Sequence, residues 1–166
     1  VGYNALTANT TGSNNTAFGF KSLEFNTTAI RNTAIGYESL NKNTTGFENN
    51  ALGFKSLHKN TTGSKNIGIG NSALYENTTG TENIAIGNGA LDAADTESGN
   101  LAIGYDALGG PVAGGESNLA VGNYALDALT AGDDNIGIGM SALTTVTSGN
   151  RNIAIGKEAL KAQTTS

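Results

Sequence analysis

A glycine recurs along this chain at an almost constant interval, and that interval limits the fold more than any other feature. The step is 17 residues, except for one step of 18 between Gly104 and Gly122. The series is Gly2, Gly19, Gly36, Gly53, Gly70, Gly87, Gly104, Gly122, Gly139 and Gly156. A 17-residue unit is too short for the helix pairs of helical arrays, which need roughly 34 residues. It fits one coil of a β-solenoid, in which short strands are joined by turns.

Each of these glycines defines position 0 of its repeat, and other positions are nearly invariant. Position −4 is Asn in nine repeats, and position +4 is Leu in all ten. Position −1 is always large and apolar, as in Ile86, whereas position −2 is always Ala or Gly, as in Ala85. Because side chains alternate along a strand, positions −1 and −3 share one face and position −2 lies on the other.

The line of small residues at position −2 indicates that something packs closely against that face. The contact is either the opposite wall of the same coil or another chain. The pattern favours the second arrangement, with Ile84, Ile86 and the +4 Leu residues inside the coil and the Ala17–Ala154 line facing an assembly axis. Three chains around that axis, a homotrimer or a fibre assembly, are the simplest solution. Asp at Leu74 or Ile86 is then predicted to disrupt several coils together.

The rest of the repeat is less decisive. Positions +1 to +6 form either a short strand or a single helical turn, and the pattern does not separate these two alternatives. An Asn-Thr-Thr-Gly turn follows in four repeats, for example at Asn43–Gly46. The Asn residues at position −4 are predicted to form a structural ladder, with amides bonding along a stack of coils about 4.8 Å apart. The alternative interpretation is a polar row that binds a ligand.

The chain is predicted to be a single solenoid array within 1–166. Coils are regular over 1–91, have looser loops over 92–150, and end in a final coil at 151–166. The one inserted residue falls in the Gly109–Ser117 loop, as expected where coil walls must stay in register and loops need not. We expect this array to be a segment of a longer fibre protein.

The core unit Asn-Ile-Ala-Ile-Gly-x-x-Ala-Leu resembles the head repeats of trimeric autotransporter adhesins. The stretch Asn32-Thr-Ala-Ile-Gly-Tyr-Glu-Ser-Leu-Asn-Lys-Asn-Thr-Thr-Gly46 resembles the repeats of phage and bacterial tail-fibre-like proteins even more closely. This resemblance implies an all-β, left-handed parallel β-roll with three chains to a fibre. It also implies an extracellular location, on a cell-surface filament or a virion fibre, with a cell-surface glycan or host receptor as a further partner. The adhesin repeat is commonly shorter, and the sequence contains no adhesin neck, stalk or anchor.

Composition and motifs argue against several other functions. The net charge of −5 disfavours a nucleic-acid partner, and no apolar run is long enough for membrane insertion. His58 is the only histidine and is predicted to be a solvated loop residue, so no nucleophile–base pair or metal-ligand spacing can be assembled. We therefore predict no enzymatic activity, no cofactor and no metal. The acidic loops Asp92/Asp95/Glu97 and Asp133/Asp134 are Ca²⁺ candidates, with solvated charge as the default.

Two patterns point to carbohydrate. Glycosylation acceptors match the N-x-S/T pattern at Asn9, Asn14, Asn26, Asn43, Asn60 and Asn77. A line of acceptors one coil apart would crowd full glycans, so some are empty, the sugars are small, or the row is only a turn motif. The second pattern is an aromatic row at position +1, formed by Tyr3, Phe20, Tyr37 and Phe54. It suggests a carbohydrate-binding module as the alternative function, although the rings are expected rather to stack on each other between coils.

A third function class is an ice-binding solenoid that uses threonine rows. Adjacent residues such as Thr10 and Thr11 would point to opposite faces if extended, which leaves one outward Thr per coil. A single row is a poor match to a flat lattice, so the structural fibre or adhesin segment remains the leading prediction.

Overall fold

The computed structural model describes residues 1–110 and 115–161 as a stack of coils, and each coil after the first contributes one three-residue strand. Within these residues the strands are Thr16–Phe18 (β1), Thr33–Ile35 (β2), Asn50–Leu52 (β3), Ile67–Ile69 (β4), Ile84–Ile86 (β5), Leu101–Ile103 (β6), Leu119–Val121 (β7), Ile136–Ile138 (β8) and Ile153–Ile155 (β9). They form a single sheet in chain order, and every neighbouring pair is parallel. The predicted all-β parallel solenoid is confirmed.

Strand pairing is in register throughout the sheet. Ile69 pairs with Ile86 and Ile86 with Ile103, as predicted. The extra residue between β6 and β7 leaves this register intact, because Leu101 still pairs with Leu119. Four residues of the loop that carries it, 111–114, lie outside the described residues, as do residues 162–166 of the predicted final coil.

The segment from +1 to +6 is neither of the two predicted alternatives, because its described residues form turns, apart from Gly109 and Gly110. Its backbone bonds both within the coil, as from Asn26 N to Leu23 O (3.2 Å), and between coils, as from Leu40 N to Ser56 O (2.9 Å). Coil-to-coil hydrogen bonding therefore continues well beyond the short strands and satisfies backbone groups in the turns as well.

The leucines at position +4 adopt a left-handed backbone conformation. Their φ angles lie between 50° and 55°, as for Leu23 (50°) and Leu126 (55°). This conformation costs on the order of 1–2 kcal/mol for a residue with a Cβ atom. It turns the leucines into the coil, where Leu23 to Leu143 are fully buried. Burying a leucine contributes about 1.5–3 kcal/mol, which offsets the backbone cost.

The predicted assignment of the strand faces is wrong, because the small residues lie inside the coil and the large ones outside. Ala85 and Ala102 are fully buried, whereas Ile86 is 36% exposed. The two walls of the coil are close together: a Cβ added to Gly68 would lie 3.3 Å from Leu57 Cγ and 2.5 Å from Ser56 Oγ. The Ala/Gly restriction therefore comes from the opposite wall of the same coil, and the Ala17–Ala154 line does not face an assembly axis.

Two asparagine ladders tie the coils together. At position −4, Asn15 Oδ1 accepts from Asn32 N (2.9 Å), and Asn32 Nδ2 donates to Gly46 O (2.8 Å) in the next coil. The predicted structural ladder is confirmed, although these amides bond mainly to backbone. A second ladder, at position +7, joins side chain to side chain, as from Asn60 Nδ2 to Asn43 Oδ1 (2.7 Å).

The second ladder ends at Asn77, whose Oδ1 is buried and has no hydrogen-bond partner among the described residues. In the next coil this position is Ala94. We expect Ala94→Asn to raise the free energy of unfolding by about 1 kcal/mol, because the new amide can donate to Asn77 Oδ1. Urea unfolding followed by circular dichroism would measure the change.

Val146→Asn is the matched control for this substitution. Val146 occupies the same repeat position, but the residue one coil before it is Leu129, which offers no acceptor, and both side chains are buried. The Nδ2 group of an asparagine here would lack the side-chain acceptor that the ladder supplies and would keep at most the carbonyl of Gly149, the equivalent of the bond from Asn43 to Gly46. A polar group that is buried without its partner costs about 1–3 kcal/mol, so this variant should be destabilised. Shifts of the same sign in both variants would contradict the ladder explanation.

Candidate functional site

An apolar strip runs along the outer face of the strands. We call the side chains at positions −1 and −3 of β1–β9 the strand strip. Position −1 is apolar in every strand: Phe18, Ile35, Leu52, Ile69, Ile86, Ile103, Val121, Ile138 and Ile155. Position −3 is polar in Thr16, Thr33 and Asn50, and apolar from Ile67 onward. The strip is solvent-accessible, with exposed fractions of 47% for Leu52 and 70% for Ile155.

The strand strip is a continuous surface, because in-register pairing places each of these side chains directly beside the equivalent side chain of the next coil. Leaving apolar area in water costs roughly 25 cal/mol per Å². Monomeric proteins rarely expose contiguous apolar patches of more than a few hundred Å², and larger patches usually mark an interaction site. The strip is therefore the strongest candidate functional site in the described residues.

Charged rows lie on both sides of the strand strip. We call position −5 the N-flank, which includes Arg31, Glu48, Lys65 and Glu82, and position +2 the C-flank, which includes Lys21, Glu38 and Lys55. Ion pairs run along each row from coil to coil: Arg31–Glu48 at 2.8 Å, Lys65–Glu82 at 3.0 Å and Lys55–Glu38 at 3.6 Å. Exposed pairs of this kind contribute at most about 1 kcal/mol each to stability.

The aromatic row predicted at position +1 forms a stack along the solenoid. Ring centroids of Tyr3, Phe20, Tyr37 and Phe54 are separated by 5.6, 5.0 and 5.2 Å, with interplanar angles of 10–11°. Each inner ring has both faces directed at neighbouring rings and turns its edges outward. This is the self-stacking expected for the row, while sugar binding at these four residues stays a prediction.

A shallow groove of about 510 Å³ lies on another side of the coil, lined by Phe25, Lys42, Thr44, His58, Lys59, Thr61 and Thr78. Lys42 Nζ lies 4.4 Å from the centre of the Phe25 ring. Lys59 Nζ pairs with Glu76 at 2.6 Å. The groove thus combines ring and methyl surface with ammonium groups.

The prediction that His58 is a solvated loop residue is wrong. Its side chain is only 12% exposed and stacks on Tyr75 with a centroid distance of 5.2 Å. Nδ1 lies 3.2 Å from Glu38 O. Burial lowers the pKa of His58, and the neighbouring Glu38 opposes this only in part.

The predicted glycosylation acceptors differ in accessibility. Asn26, Asn43, Asn60 and Asn77 are fully buried, with their Nδ2 groups bonded in the position +7 ladder. Asn9 is half-buried and donates to Gly12 O (3.0 Å), whereas Asn14 is exposed. Glycosylation stays a prediction, and in the folded stack Asn14 is the acceptor with a free approach.

The predicted threonine rows separate by position. At position +8, hydroxyls such as Thr44 Oγ1 donate to the next coil, here to Thr61 O (3.0 Å). At position +9, residues such as Thr45 and Thr62 are exposed. One outward Thr per coil is what the pattern predicts, and ice binding stays a prediction.

The acidic loops use part of their charge internally. Glu97 is buried, and its Oε2 accepts from the backbone amides of Asp95 (2.8 Å) and Thr96 (3.0 Å). Burial and the nearby Asp106 raise the pKa of Asp92 to about 6. Among residues 1–110 and 115–161, no three His, Cys, Asp or Glu side chains are grouped closely enough to hold a metal ion.

No protein-family model, curated protein or solved structure matches this chain. The resemblance to adhesin-head and tail-fibre repeats therefore stays a prediction from the repeat pattern. In the described part of the chain, no helix has the length and apolar character needed to cross a membrane.

Proposed function

We propose that this chain is a structural segment of an extracellular fibre, in which three copies pack their strand strips around a common axis. The observation that supports the proposal most strongly is the strip itself, with apolar position −1 side chains on all nine described strands that the described residues leave open to solvent. The trimer predicted from the repeat is kept, but the face that builds it is changed from the Ala line to the strand strip.

The occupant of the strip must match its shape. The strip is apolar at both of its positions from Ile67 onward and repeats once per coil, so a partner needs an apolar ridge with the same repeat. A second and a third copy of the same chain provide that ridge at the same spacing. Closed rings of identical chains are the usual solution for such surfaces, and the adhesin-like repeat pattern favours three chains.

A rod-like role follows from the way the coils are connected. Each strand pairs only with the strands of the coils before and after it, so the array can be lengthened by adding repeats without changing its cross-section. A fibre needs this property, and a catalytic function is not part of the proposal. Binding of a cell-surface glycan or host receptor remains the alternative role.

The test is the mass in solution of the parent chain and of a variant carrying Ile69→Asp and Ile86→Asp. We expect the parent to be trimeric, and the variant to be monomeric with an unchanged circular dichroism spectrum, because the charges lie outside the coil but inside the interface. Lys42→Asp is the control, since it changes the net charge by the same two units and Lys42 is exposed in the groove lined by Phe25 and Thr61, outside the strip and its flanks. A monomeric parent, or a variant that still forms trimers, would refute the proposal.

A further inference from the structure

The charges on the two flanks of the strand strip are correlated within each coil. Where both flanks of one coil are charged, the signs are opposite in every case among the described residues: Arg31 with Glu38, Glu48 with Lys55, and Arg151 with Glu158. No ion pair joins the two members of any such couple within the chain in residues 1–110 and 115–161. The correlation therefore needs an explanation outside the single chain.

Pairing along each row explains only part of the pattern. The bridges Arg31–Glu48 and Lys55–Glu38 require signs to alternate from one coil to the next within a row. They do not determine whether the two flanks of one coil carry opposite or equal signs, which we call the phase of the two rows. With the opposite phase, each of these coils would carry equal charges on both flanks and the same bridges would form.

We propose that this phase locks the chains of the trimer in register, with the N-flank of each copy facing the C-flank of the next copy at the same height. The proposal rests on the proposed assembly through the strand strip. Rotation about an axis parallel to the stack brings unlike edges together, so an N-flank always meets a C-flank. In register, the three flank couples become three opposite-charge contacts at every interface.

Slipping by one coil would reverse the electrostatics. If each N-flank residue met the C-flank of the following coil, the like-charged contacts would be Arg31 with Lys55, Glu82 with Asp106, and Asp134 with Glu158. If it met the preceding coil, they would be Arg31 with Lys21, Glu48 with Glu38, and Lys65 with Lys55. Neither slipped arrangement contains an opposite-charge contact.

The strand strip does not resist such slipping by itself. Its repeated Ile and Leu side chains present nearly the same surface one coil further along, so apolar packing is almost equal in register and out of register. Like charges placed opposite each other at an interface are a common way to exclude wrong pairings. The flanks thus supply the specificity that a uniform apolar ridge lacks.

The test exchanges charges along one row at a time. Arg31→Glu with Glu48→Arg keeps an ion pair within the N-flank but makes both contacts with a neighbouring C-flank like-charged. Glu38→Lys with Lys55→Glu does the same from the other side. All four substitutions together restore opposite charges across the interface. The readout is the protein concentration at which light scattering detects half-dissociation of the trimer.

Lys65→Glu with Glu82→Lys is the matched control. It exchanges a bridged pair in the same row, and it also places like charges at positions 48 and 65, as the Arg31/Glu48 exchange does. Its C-flank counterparts are Ser72 and Gly89, which are uncharged. Any effect specific to the interface should therefore be absent from this variant.

We expect each single-row exchange to raise the half-dissociation concentration by at least about tenfold, and the four-substitution variant to return close to the parent. The control should match the parent. A trimeric parent whose dissociation is unaffected by the single-row exchanges, or is not restored by the combined one, would overturn the register lock while leaving the trimer standing. A monomeric parent would overturn the proposed assembly itself.

Discussion

Replacing Leu74 by Asp is expected to unfold several coils at once and to lower the free energy of unfolding by more than about 4 kcal/mol. Leu74 is fully buried in the interior of its coil, where it belongs to the hydrophobic core. Each coil packs only against the coils before and after it, so damage in one coil spreads to its neighbours. No lysine or arginine among the described residues is buried, so a carboxylate there would have no cation to pair with. Thermal unfolding followed by circular dichroism should show a strongly lowered midpoint or no cooperative transition.

Ile86→Asp is the informative comparison, because it also replaces a branched aliphatic side chain by Asp, but on the outer face of the coil wall. Ile86 is exposed and lies outside the core, so under conditions where the chain is monomeric its substitution should change stability little. The sequence pattern alone predicts equal damage from both variants. Equal midpoints for them would show that the coil interior has been assigned to the wrong face.

Gly87→Ala is expected to cost at least about 3 kcal/mol, since the added methyl group has no space. Gly87 has a φ of +144°, and a Cβ there would lie 2.1 Å from the carbonyl oxygen of Gly104. That oxygen belongs to the backbone of the next coil, so it cannot move without breaking the stack. Urea unfolding should show a lower midpoint with an unchanged slope.

Gly156→Ala separates the two causes of this cost. Gly156 occupies the same repeat position with a φ of +122°, but no atom of residues 1–110 and 115–161 lies within 4 Å of its added Cβ. It should therefore show only the backbone strain, on the order of 1 kcal/mol. The difference between the two variants measures the clash between coils, and a Gly87→Ala variant as stable as Gly156→Ala would contradict the close contact.

The fold could be predicted from the repeat because a stack of coils requires equivalent residues at equivalent positions in each coil. Residues 17 apart can be identical over so many copies only if each occupies the same environment, and Ile69, Ile86 and Ile103 do lie in register. The same argument predicts the ladder of asparagines at position −4. A buried amide is retained when it has backbone groups of the next coil to bond, as Asn32 has.

The orientation of the strand could not be read from the pattern. A period of two separates Ala85 from Ile84 and Ile86, but it does not say which face is inside. Hydrophobicity favours the isoleucines, whereas the actual interior is too narrow for them beside a leucine. That width depends on the left-handed backbone of residues such as Leu57, which no propensity for leucine predicts.

The candidate site was out of reach for the same reason. Once the isoleucines are assigned to the interior, no exposed apolar strip is expected. The charges at positions −5 and +2 are then not recognised as the two sides of one surface. Arg31 and Glu38 become a couple only when both are measured from the strand that separates them. The signs of these charges can be read from the sequence, but they can be interpreted only when it is known that the large side chains of the strand face outward between them.

The pairing of each strand with only the preceding and following coil determines how the chain would respond to tension. A pull on the two ends is carried in series by the contacts between successive coils, and the outermost coil should yield first because, among the described strands, an end strand pairs with only one neighbour. Its hydrogen bonds would open in sequence, and each released coil would add up to about 60 Å of extended chain. A single chain would thus unfold in steps and absorb work at each step. Chains held together along the strand strip would have to unfold together.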